Sequence, residues 1–213
     1  MPQYFDNDST IVSKKRTVIL DIDGIKIPFV TDNGVFSKGR VDDGTKALLK
    51  VLLPLNLNGR ILDVGCGYGA LGLTLAYSNP SSEFTLIDVN VRALNLAKDN
   101  KKNLHLENVT ILQSDIYENV KDKFNFIVTN PPIRAGKKVI YQMFSGGYNY
   151  LFNGGSLFIV IRKDQGASSA CAYIKEIYGN CTLLKRDKGY YIYQAIKNES
   201  SLLREEPFHE TKK

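Results

Sequence analysis

The pattern of apolar and polar positions divides the chain into a short β-rich start and a long region of alternating strands and helices. Near the N-terminus, "RTVILDID" and "IKIPFVTD" are two β-rich runs joined around Gly24 by an Asp-Gly turn signal, which predicts a hairpin. The segment "TKALLKVLLPL" has helical apolar spacing that ends at Pro54. From residue 60 onward, "RILDV", "EFTLIDV", "VTILQS", "FNFIVT" and "SLFIVI" are apolar strand-like runs, and helical segments separate most of them.

Alternating helices and nearly all-apolar strands predict an α/β fold, in which a parallel sheet is covered by helices on both faces. The end of the chain differs, because "CTLLKRDKGYYIYQAIK" reads as two β runs separated only by "RDKG". We therefore predict a seven-stranded, mostly parallel sheet that closes with an antiparallel C-terminal hairpin. The predicted organisation is a β-rich extension with a covering loop over residues 1–42, a main domain over 43–197 and a disordered tail over 198–213.

Composition indicates a globular protein with a leaning towards anionic partners. The 213 residues are 43% hydrophobic and 23% charged, with a net charge of +6 and a pI near 9.1. Cys66, Cys171, Cys181, His105 and His209 fall in no metal-ligand or disulfide pattern, so we expect no metal. The sequence shows no signal peptide and no run of eighteen apolar residues, so we expect a cytoplasmic protein with reduced thiols and no membrane partner.

A glycine-rich loop, "LDVGCGYGALG", follows the first strand of the main domain and opens a helix. Gly65 and Gly67 allow a sharp turn and a close approach to a ligand, and the helix N-terminus offers free N–H groups. Gly67, Gly69 and Gly72 also spell the dinucleotide fingerprint G-x-G-x-x-G, so a nicotinamide or flavin cofactor stays open at this point.

Three aspartates mark the ends of successive predicted parallel strands. Asp63 precedes the glycine loop, Asp88 ends "TLID" and Asp115 ends "LQSD". Ligands of open α/β sheets bind at the carboxyl edge of the strands, so these three carboxylates are candidates for binding one ligand. Asp88 suits ribose hydroxyls, and Asp115 suits an adenine amino group.

The fourth strand of the main domain ends in "TNPPI", which predicts a stiff turn rich in acceptors. Asn130 and Pro131 each precede a proline, which disfavours helical geometry, and the two proline rings fix φ at Pro131 and Pro132. Neither proline has an N–H, so the turn presents the Asn130 side-chain oxygen and the Pro131 carbonyl. Such a pair of acceptors fits a planar amine or amide, whose nitrogen could be held in line with an electrophilic methyl group.

These motifs together resemble those of a known enzyme family. "DVGCGYG", "IDVN", "QSD" and "NPPIRAGK" look like the motifs of class I S-adenosylmethionine-dependent methyltransferases, which have a Rossmann-like fold. Two more segments, "FVTDNGVFSKGRVDDG" and "RDKGYYIYQA", are similar to those of the small-subunit ribosomal RNA guanine-N2 methyltransferases of the RsmC type. The resemblance runs from about Tyr4 to Lys197. It implies methyl transfer from S-adenosylmethionine to a guanine N2 amine of 16S ribosomal RNA, on free RNA or the small ribosomal subunit, by a monomer or homodimer.

The resemblance also implies roles for individual residues. The catalytic turn would be Asn130, Pro131, Pro132 and Ile133, although many amino-methylating relatives have an aromatic residue where this chain has Ile133. The implied cofactor-binding residues are Asp63, Gly65, Cys66, Gly67, Gly69, Asp88, Val89, Asp115, Ile116 and Asn130. The implied substrate-binding residues are Phe36, Lys38, Arg40, Arg134 and Lys137, with Phe36 available to stack on the base and the cations available to contact phosphates.

Two other functions remain open from the sequence. One is methylation of a different planar nitrogen, either adenine N6 or a protein glutamine. The other is a non-catalytic module that binds a nucleotide or RNA, in which the "TNPPI" turn would have no chemical role.

Overall fold

The computed structural model describes residues 12–35, 37 and 39–198. The described chain begins with a two-stranded antiparallel hairpin, β1 (Arg16–Ile22) and β2 (Ile25–Thr31). The turn lies at Asp23 and Gly24, which both have positive φ as an Asp-Gly hairpin turn requires. The predicted N-terminal hairpin is confirmed.

The main sheet has seven strands, in the order β5-β4-β3-β6-β7-β9-β8. The first five strands in that order run parallel to one another, whereas β9 runs antiparallel to both β7 and β8. This is the predicted mostly parallel sheet with an antiparallel C-terminal hairpin. The strands are β3 (Arg60–Val64), β4 (Glu83–Asp88), β5 (Val109–Gln113), β6 (Phe124–Thr129), β7 (Leu151–Arg162), β8 (Thr182–Asp187) and β9 (Tyr190–Ile196).

Helices cover both faces of the sheet, and each face has its own apolar cluster. One cluster joins the N-terminal hairpin to the first three helices, and the other joins the last two helices to the opposite face. Burial of these two clusters is the main stabilising term of the fold. No helix in the described ranges has the length and apolar character needed to cross a bilayer. The helices are α1 (Asp43–Leu52), α2 (Ala70–Ser78), α3 (Val91–Asn103), α4 (Lys137–Tyr150) and α5 (Ala167–Tyr178).

The boundaries of two predicted helices differ from those in the structure. Helix α1 starts at Asp43 rather than Thr45, because Asp42 caps it by accepting hydrogen bonds from the backbone N–H groups of Gly44 and Thr45. The segment "VIYQMFSGGYNYLF" predicts a helix that continues to Phe152, but α4 ends at Tyr150 because strand β7 begins at Leu151. Tertiary pairing with β6 overrides the helical pattern there.

The N-terminal hairpin is built into the same core as the main domain. Leu20 and Phe29 of the hairpin have no exposed surface. Asn100 on α3 is also buried; its Oδ1 accepts a hydrogen bond from Val30 N, and its Nδ2 donates to the carbonyls of Val30 and Tyr68. One buried amide thus connects the hairpin, α3 and the glycine loop. The division at residue 42 stays a prediction, and the tail from residue 199 lies outside the described residues.

Candidate active site

The sheet topology brings the glycine loop and the "TNPPI" turn together. The chain runs from β3 outward to β4 and β5, then crosses back to place β6 on the other side of β3. Such a reversal leaves a crevice at the carboxyl ends of the two central strands, where ligands of open α/β sheets bind. Thr129 at the end of β6 fixes this junction, since its Oγ1 donates a 2.8 Å hydrogen bond to the carbonyl of Val64 at the end of β3.

The glycine loop is held open by its backbone bonds to the end of β4. The N–H groups of Gly65 and Cys66 both donate to the carbonyl of Ile87 at 2.9 Å, and Gly67 N donates to Asp88 Oδ2 at 2.8 Å. Gly67 has φ +57°, and no heavy atom lies within 4 Å of the position that its Cβ would take. The loop therefore leaves space above Gly67 that a ligand can occupy.

Buried acids give this loop an unusual electrostatic environment. Asp63 is 1% exposed, and its Oδ2 accepts a 2.9 Å hydrogen bond from Gly72 N at the start of α2. Burial, with a contribution from the charge of Asp88, raises the pKa of Asp63 to about 7. Burial and the same two carboxylates raise the pKa of the Cys66 thiol, so Cys66 stays protonated and is a poor nucleophile. A cation in this region would favour the ionised carboxylates.

The first of two adjoining cavities, the glycine-loop cleft, measures about 490 Å³. It lies between the glycine loop, the N-terminus of α1 and the "TNPPI" turn. It is lined by Ser37, Asp42, Thr45, Asp63, Gly65, Cys66, Gly67, Tyr68, Ala70, Leu71, Asn130 and Pro132.

The second cavity, the strand-end cleft, measures about 330 Å³ and has mostly apolar walls. Ile116 reaches this cleft from a backbone with φ +49°, which is an unfavourable conformation for a β-branched residue and is typical of ligand-binding sites. The strand-end cleft shares Gly65 and Pro132 with the glycine-loop cleft, so the two clefts adjoin there. It is lined by Val64, Gly65, Ile87, Asp88, Val89, Ser114, Asp115, Ile116, Pro132, Val139 and Met143.

The Asn130 amide has a defined orientation. Its Nδ2 donates to Asp42 Oδ2 at 2.8 Å and to Thr45 Oγ1 at 3.0 Å. An ionised carboxylate only accepts hydrogen bonds, so the atom of Asn130 that faces Asp42 must be the nitrogen. The amide oxygen Oδ1 lies beside the first turn of α1, 3.2 Å from the position of a Cβ built on Gly44, and it accepts no hydrogen bond from the described residues.

The backbone carbonyls of the two prolines differ in whether they already accept a hydrogen bond. The Pro132 carbonyl accepts from Ala135 N at 2.9 Å and is therefore occupied by the short 3-10 helix that follows, Ile133–Ala135. The Pro131 carbonyl accepts no hydrogen bond from any described residue. Ile133 lines neither cleft and packs against the apolar cluster beneath α4 and α5.

The predicted substrate-binding cations lie at different distances from the site. Arg134 is exposed in the turn itself. Lys137 is exposed one turn further on, with its Nζ 4.9 Å from the centroid of the Tyr141 ring. Arg40 forms an exposed 2.9 Å ion pair with Asp43 at the start of α1. Phe36 and Lys38 lie outside the described residues.

Three site residues were missed by the sequence reasoning: Asp42, Thr45 and Tyr190. Asp42 and Thr45 orient Asn130, as described above. The Cε1 atom of Tyr190 lies 2.9 Å from the position of a Cβ built on Gly44. A capping signature at Asp42 was available in "RVDDGTK", whereas nothing local to Tyr190 indicates that it approaches α1. Over the described ranges, no group of three or more His, Cys, Asp or Glu side chains is arranged to hold a metal ion.

Comparison with known proteins gives a consistent set of matches. The methyltransferase small domain family matches residues 26–194. The uncharacterized protein YbxB of Bacillus subtilis is 40% identical over 196 residues, covering 91% of this chain and 98% of that protein. Ribosomal RNA small subunit methyltransferase C of Photobacterium profundum is 32% identical over 185 residues, covering 84% of this chain and 52% of that protein.

A solved structure resembles the whole described fold. It is the 16S rRNA N2 G1207 methyltransferase RsmC of T. thermophilus, in complex with AdoMet and guanosine. The TM-score is 0.79 at 27% identity, and the match covers 88% of this chain and 52% of that one. The chain therefore spans about half the length of these RsmC proteins but nearly all of YbxB.

Proposed function

The chain belongs to the methyltransferase small domain family, and on that basis we propose that it transfers a methyl group from S-adenosylmethionine to the N2 amine of a guanine in 16S ribosomal RNA. The family match covers most of the described chain. The glycine-loop cleft and the strand-end cleft adjoin at Gly65 and Pro132, and their lining groups suit the cofactor. The orientation of the Asn130 amide is the single observation that supports catalysis of methyl transfer in addition to cofactor binding.

The residues of the two clefts fit S-adenosylmethionine. When bound, this cofactor supplies an electrophilic methyl group and carries a sulfonium and an ammonium cation. Ile87, Ile116 and Met143 form apolar walls suited to the adenine ring. Asp88 lines the strand-end cleft and is the acid that we propose for the ribose hydroxyls. Asp63 lines the other cleft, where a cation would favour its ionised form. Gly67 leaves room for the ligand where a side chain would intrude.

The turn residues act by positioning the amine. The lone pair of a guanine amino group is delocalised into the ring, so the amine is a weak nucleophile. The Asn130 Oδ1 and the Pro131 carbonyl would accept hydrogen bonds from its two N–H groups and hold the nitrogen in one orientation. This favours tetrahedral geometry as the N–C bond forms, the methyl–sulfur bond breaks and one amine proton is released to solvent. The hydrogen bonds from Asn130 to Asp42 and Thr45 exist before the base arrives, so little reorganisation is needed during the reaction.

The proposed partner is ribosomal RNA or the small ribosomal subunit in the cytoplasm, and the protein acts as a monomer or homodimer. The net charge of +6 favours an anionic partner. Arg134 and Lys137 are exposed next to the catalytic turn, where they are available to phosphates flanking an extruded base.

The test is methyl transfer from labelled S-adenosylmethionine to 16S RNA and to small subunits from a strain lacking the protein. We expect N2-methylguanosine in nucleoside mass spectrometry of the product. Asn130→Ala should lower kcat about 100- to 1,000-fold, by analogy with the loss of one preorganised hydrogen-bonding group. Binding of S-adenosylmethionine by calorimetry should remain close to that of the wild type.

The matched control is Asn95→Ala, which removes an exposed amide on α3. It should leave both activity and cofactor binding unchanged. Methyl label on adenine N6 or on a protein glutamine would replace guanine N2 as the target while keeping the role of the turn. Full activity in Asn130→Ala would contradict the mechanism itself.

A further inference from the structure

Tyr190 approaches the catalytic turn from the opposite end of the chain. The first turn of α1 carries Gly44, whose backbone has an ordinary helical φ and so does not itself require glycine. A Cβ at this position would lie 2.8 Å from Asp42 Oδ2, 2.9 Å from Tyr190 Cε1 and 3.2 Å from Asn130 Oδ1. The glycine is therefore needed for space, because the neighbouring Asp42 and two groups from distant parts of the chain, Asn130 and Tyr190, meet over it.

This arrangement places an aromatic edge beside the acceptor proposed to bind the target amine. Tyr190 Cε1 and Asn130 Oδ1 both lie within 3.2 Å of the same missing methyl position. Tyr190 is partly exposed, so part of its surface remains available to a ligand. Arg162, its neighbour across β7 and β9, has its Cζ 5.8 Å from the Tyr190 ring centroid. Burial and the charge of Asp42 raise the pKa of Tyr190, so the ring stays neutral at physiological pH.

The position of Tyr190 is fixed by contacts on both sides. Asp187 on β8 pairs directly with Tyr190 on β9, and it forms a 2.8 Å ion pair with Lys50 on α1. The ion pair connects the β8–β9 hairpin to the helix whose first turn contacts Tyr190. A ring that is already in place loses less conformational entropy when a base stacks on it.

The catalytic turn itself offers no such ring. Ile133 is aliphatic, and it packs into the cluster beneath α4 and α5. Tyr68 lines the glycine-loop cleft but is only 4% exposed, with its ring packed edge-on at 6.1 Å from that of Phe29. Tyr190 is outside the lining of both clefts and packs partly buried against the first apolar cluster, but of these side chains it alone has a partly exposed ring beside Asn130.

We propose that Tyr190 is the surface on which the target base stacks while its amine is held at Asn130. Base-on-aromatic stacking tolerates any base, so Tyr190 contributes affinity and orientation, and the choice of base comes from the acceptors of the turn. This role rests on the proposed function, because it assumes that a nucleobase enters the site.

The experiment compares Tyr190→Phe and Tyr190→Leu with the wild type. Guanosine binding is measured by calorimetry in the presence of S-adenosylhomocysteine, together with kcat/KM on small subunits. Tyr190→Phe keeps the ring and should match the wild type in both measurements. Tyr190→Leu keeps an apolar side chain without the ring and should lose about 10- to 100-fold in guanosine affinity and in kcat/KM. Affinity for S-adenosylhomocysteine should be the same in all three proteins.

Two further variants separate stacking from a general structural role. Tyr191→Leu changes the next residue on β9, whose ring lies on the opposite face near Arg186, and should change neither measurement. Gly44→Ala should lower kcat at least tenfold with unchanged S-adenosylhomocysteine affinity, because the added methyl displaces Tyr190 or Asn130. Wild-type guanosine affinity in Tyr190→Leu, or equal losses in Tyr190→Leu and Tyr191→Leu, would overturn the proposal.

The same measurements distinguish this proposal from the proposed function. If the wild type binds and methylates adenosine rather than guanosine, the assignment of guanine N2 fails, and the ring dependence at position 190 is then measured with adenosine. If the wild type neither binds a nucleoside nor methylates RNA, both proposals are overturned.

Discussion

Asp42 caps the N-terminus of α1, and we expect it to be important for activity as well as for stability. A single oxygen of this side chain, Oδ2, accepts three hydrogen bonds: from Gly44 N at 2.8 Å, Thr45 N at 3.2 Å and Asn130 Nδ2 at 2.8 Å. Asp42→Ala removes all three. The first two losses uncap α1, and the third leaves the Asn130 amide with Thr45 as its remaining partner.

The magnitudes follow from these contacts. Loss of the cap costs about 1 kcal/mol in the free energy of unfolding. Loss of a hydrogen bond to a charged group costs about 1.5–3 kcal/mol. If the hydrogen bond from Asn130 to Asp42 orients the amide oxygen towards the substrate, losing it should lower kcat roughly 10- to 100-fold, since about 1.4 kcal/mol corresponds to a factor of ten.

The assay measures kcat on small subunits and the free energy of unfolding by urea titration for Asp42→Ala, Asp42→Asn and Asp43→Ala. Asn at position 42 still offers one oxygen to all three donors but lacks the charge, so its loss of kcat should be intermediate. Asp43→Ala is the matched control: it removes the adjacent acid, whose partner is the exposed Arg40, and should cost less than about 1 kcal/mol and leave kcat unchanged.

The free energy of unfolding and kcat together distinguish the capping role of Asp42 from its role in orienting Asn130. If Asp42→Ala loses stability but keeps wild-type kcat, then Asp42 does not orient Asn130. If Asp42→Asn loses as much kcat as Asp42→Ala, then the charge, rather than the accepting oxygen, is the important property.

Three further predictions concern charged groups around the fold. The pKa of Asp63 is raised from 3.8 to about 7, so its burial lowers stability as pH rises through that window, by at most about 4 kcal/mol in all. Urea titrations at pH 5 and pH 8 cover at most about 3 kcal/mol of this decline, and Asp63→Asn should remove it. The hydrogen bond from Lys50 lowers the pKa of Asp187, so the pair stabilises the fold above the ordinary value of 3.8, and that stability is lost as pH falls through the lowered pKa. Lys50→Met should cost at most about 1 kcal/mol at pH 7, because Lys50 is 36% exposed, and this cost should shrink in urea titrations at progressively lower pH. Replacing Arg134 and Lys137 together by Gln should weaken RNA binding. If both side chains contact phosphates, the slope of log affinity against log salt concentration should fall in magnitude by about 1.4–1.8. An unchanged slope would mean that the RNA binds elsewhere on the protein.

Most of the fold was predictable from local sequence. The Asp-Gly turn, the apolar strands and the helical segments each depend on neighbouring residues, so their patterns indicated the sheet and both hairpins. The errors lie at boundaries, such as Leu151, where pairing between β6 and β7 ends a helix that the local pattern would continue. All the predicted cofactor residues except Gly69 line the two clefts, since their place at the carboxyl ends of parallel strands follows from strand order. Gly69 lies at the N-cap of α2, against Leu73 and Ala97.

The sequence by itself determined which chemical groups end each strand, because turn residues such as Gly67, Pro131 and Pro132 constrain the backbone locally. Only the tertiary structure decided which of those groups meet. Asp42 and Asn130 are 88 residues apart in the chain, and Tyr190 comes from the antiparallel hairpin that closes the sheet. Their convergence over Gly44 depends on the packing of α1 against the ends of β6 and β9. No local pattern encodes that packing, because it is set by the sheet order and by the sum of many long-range contacts.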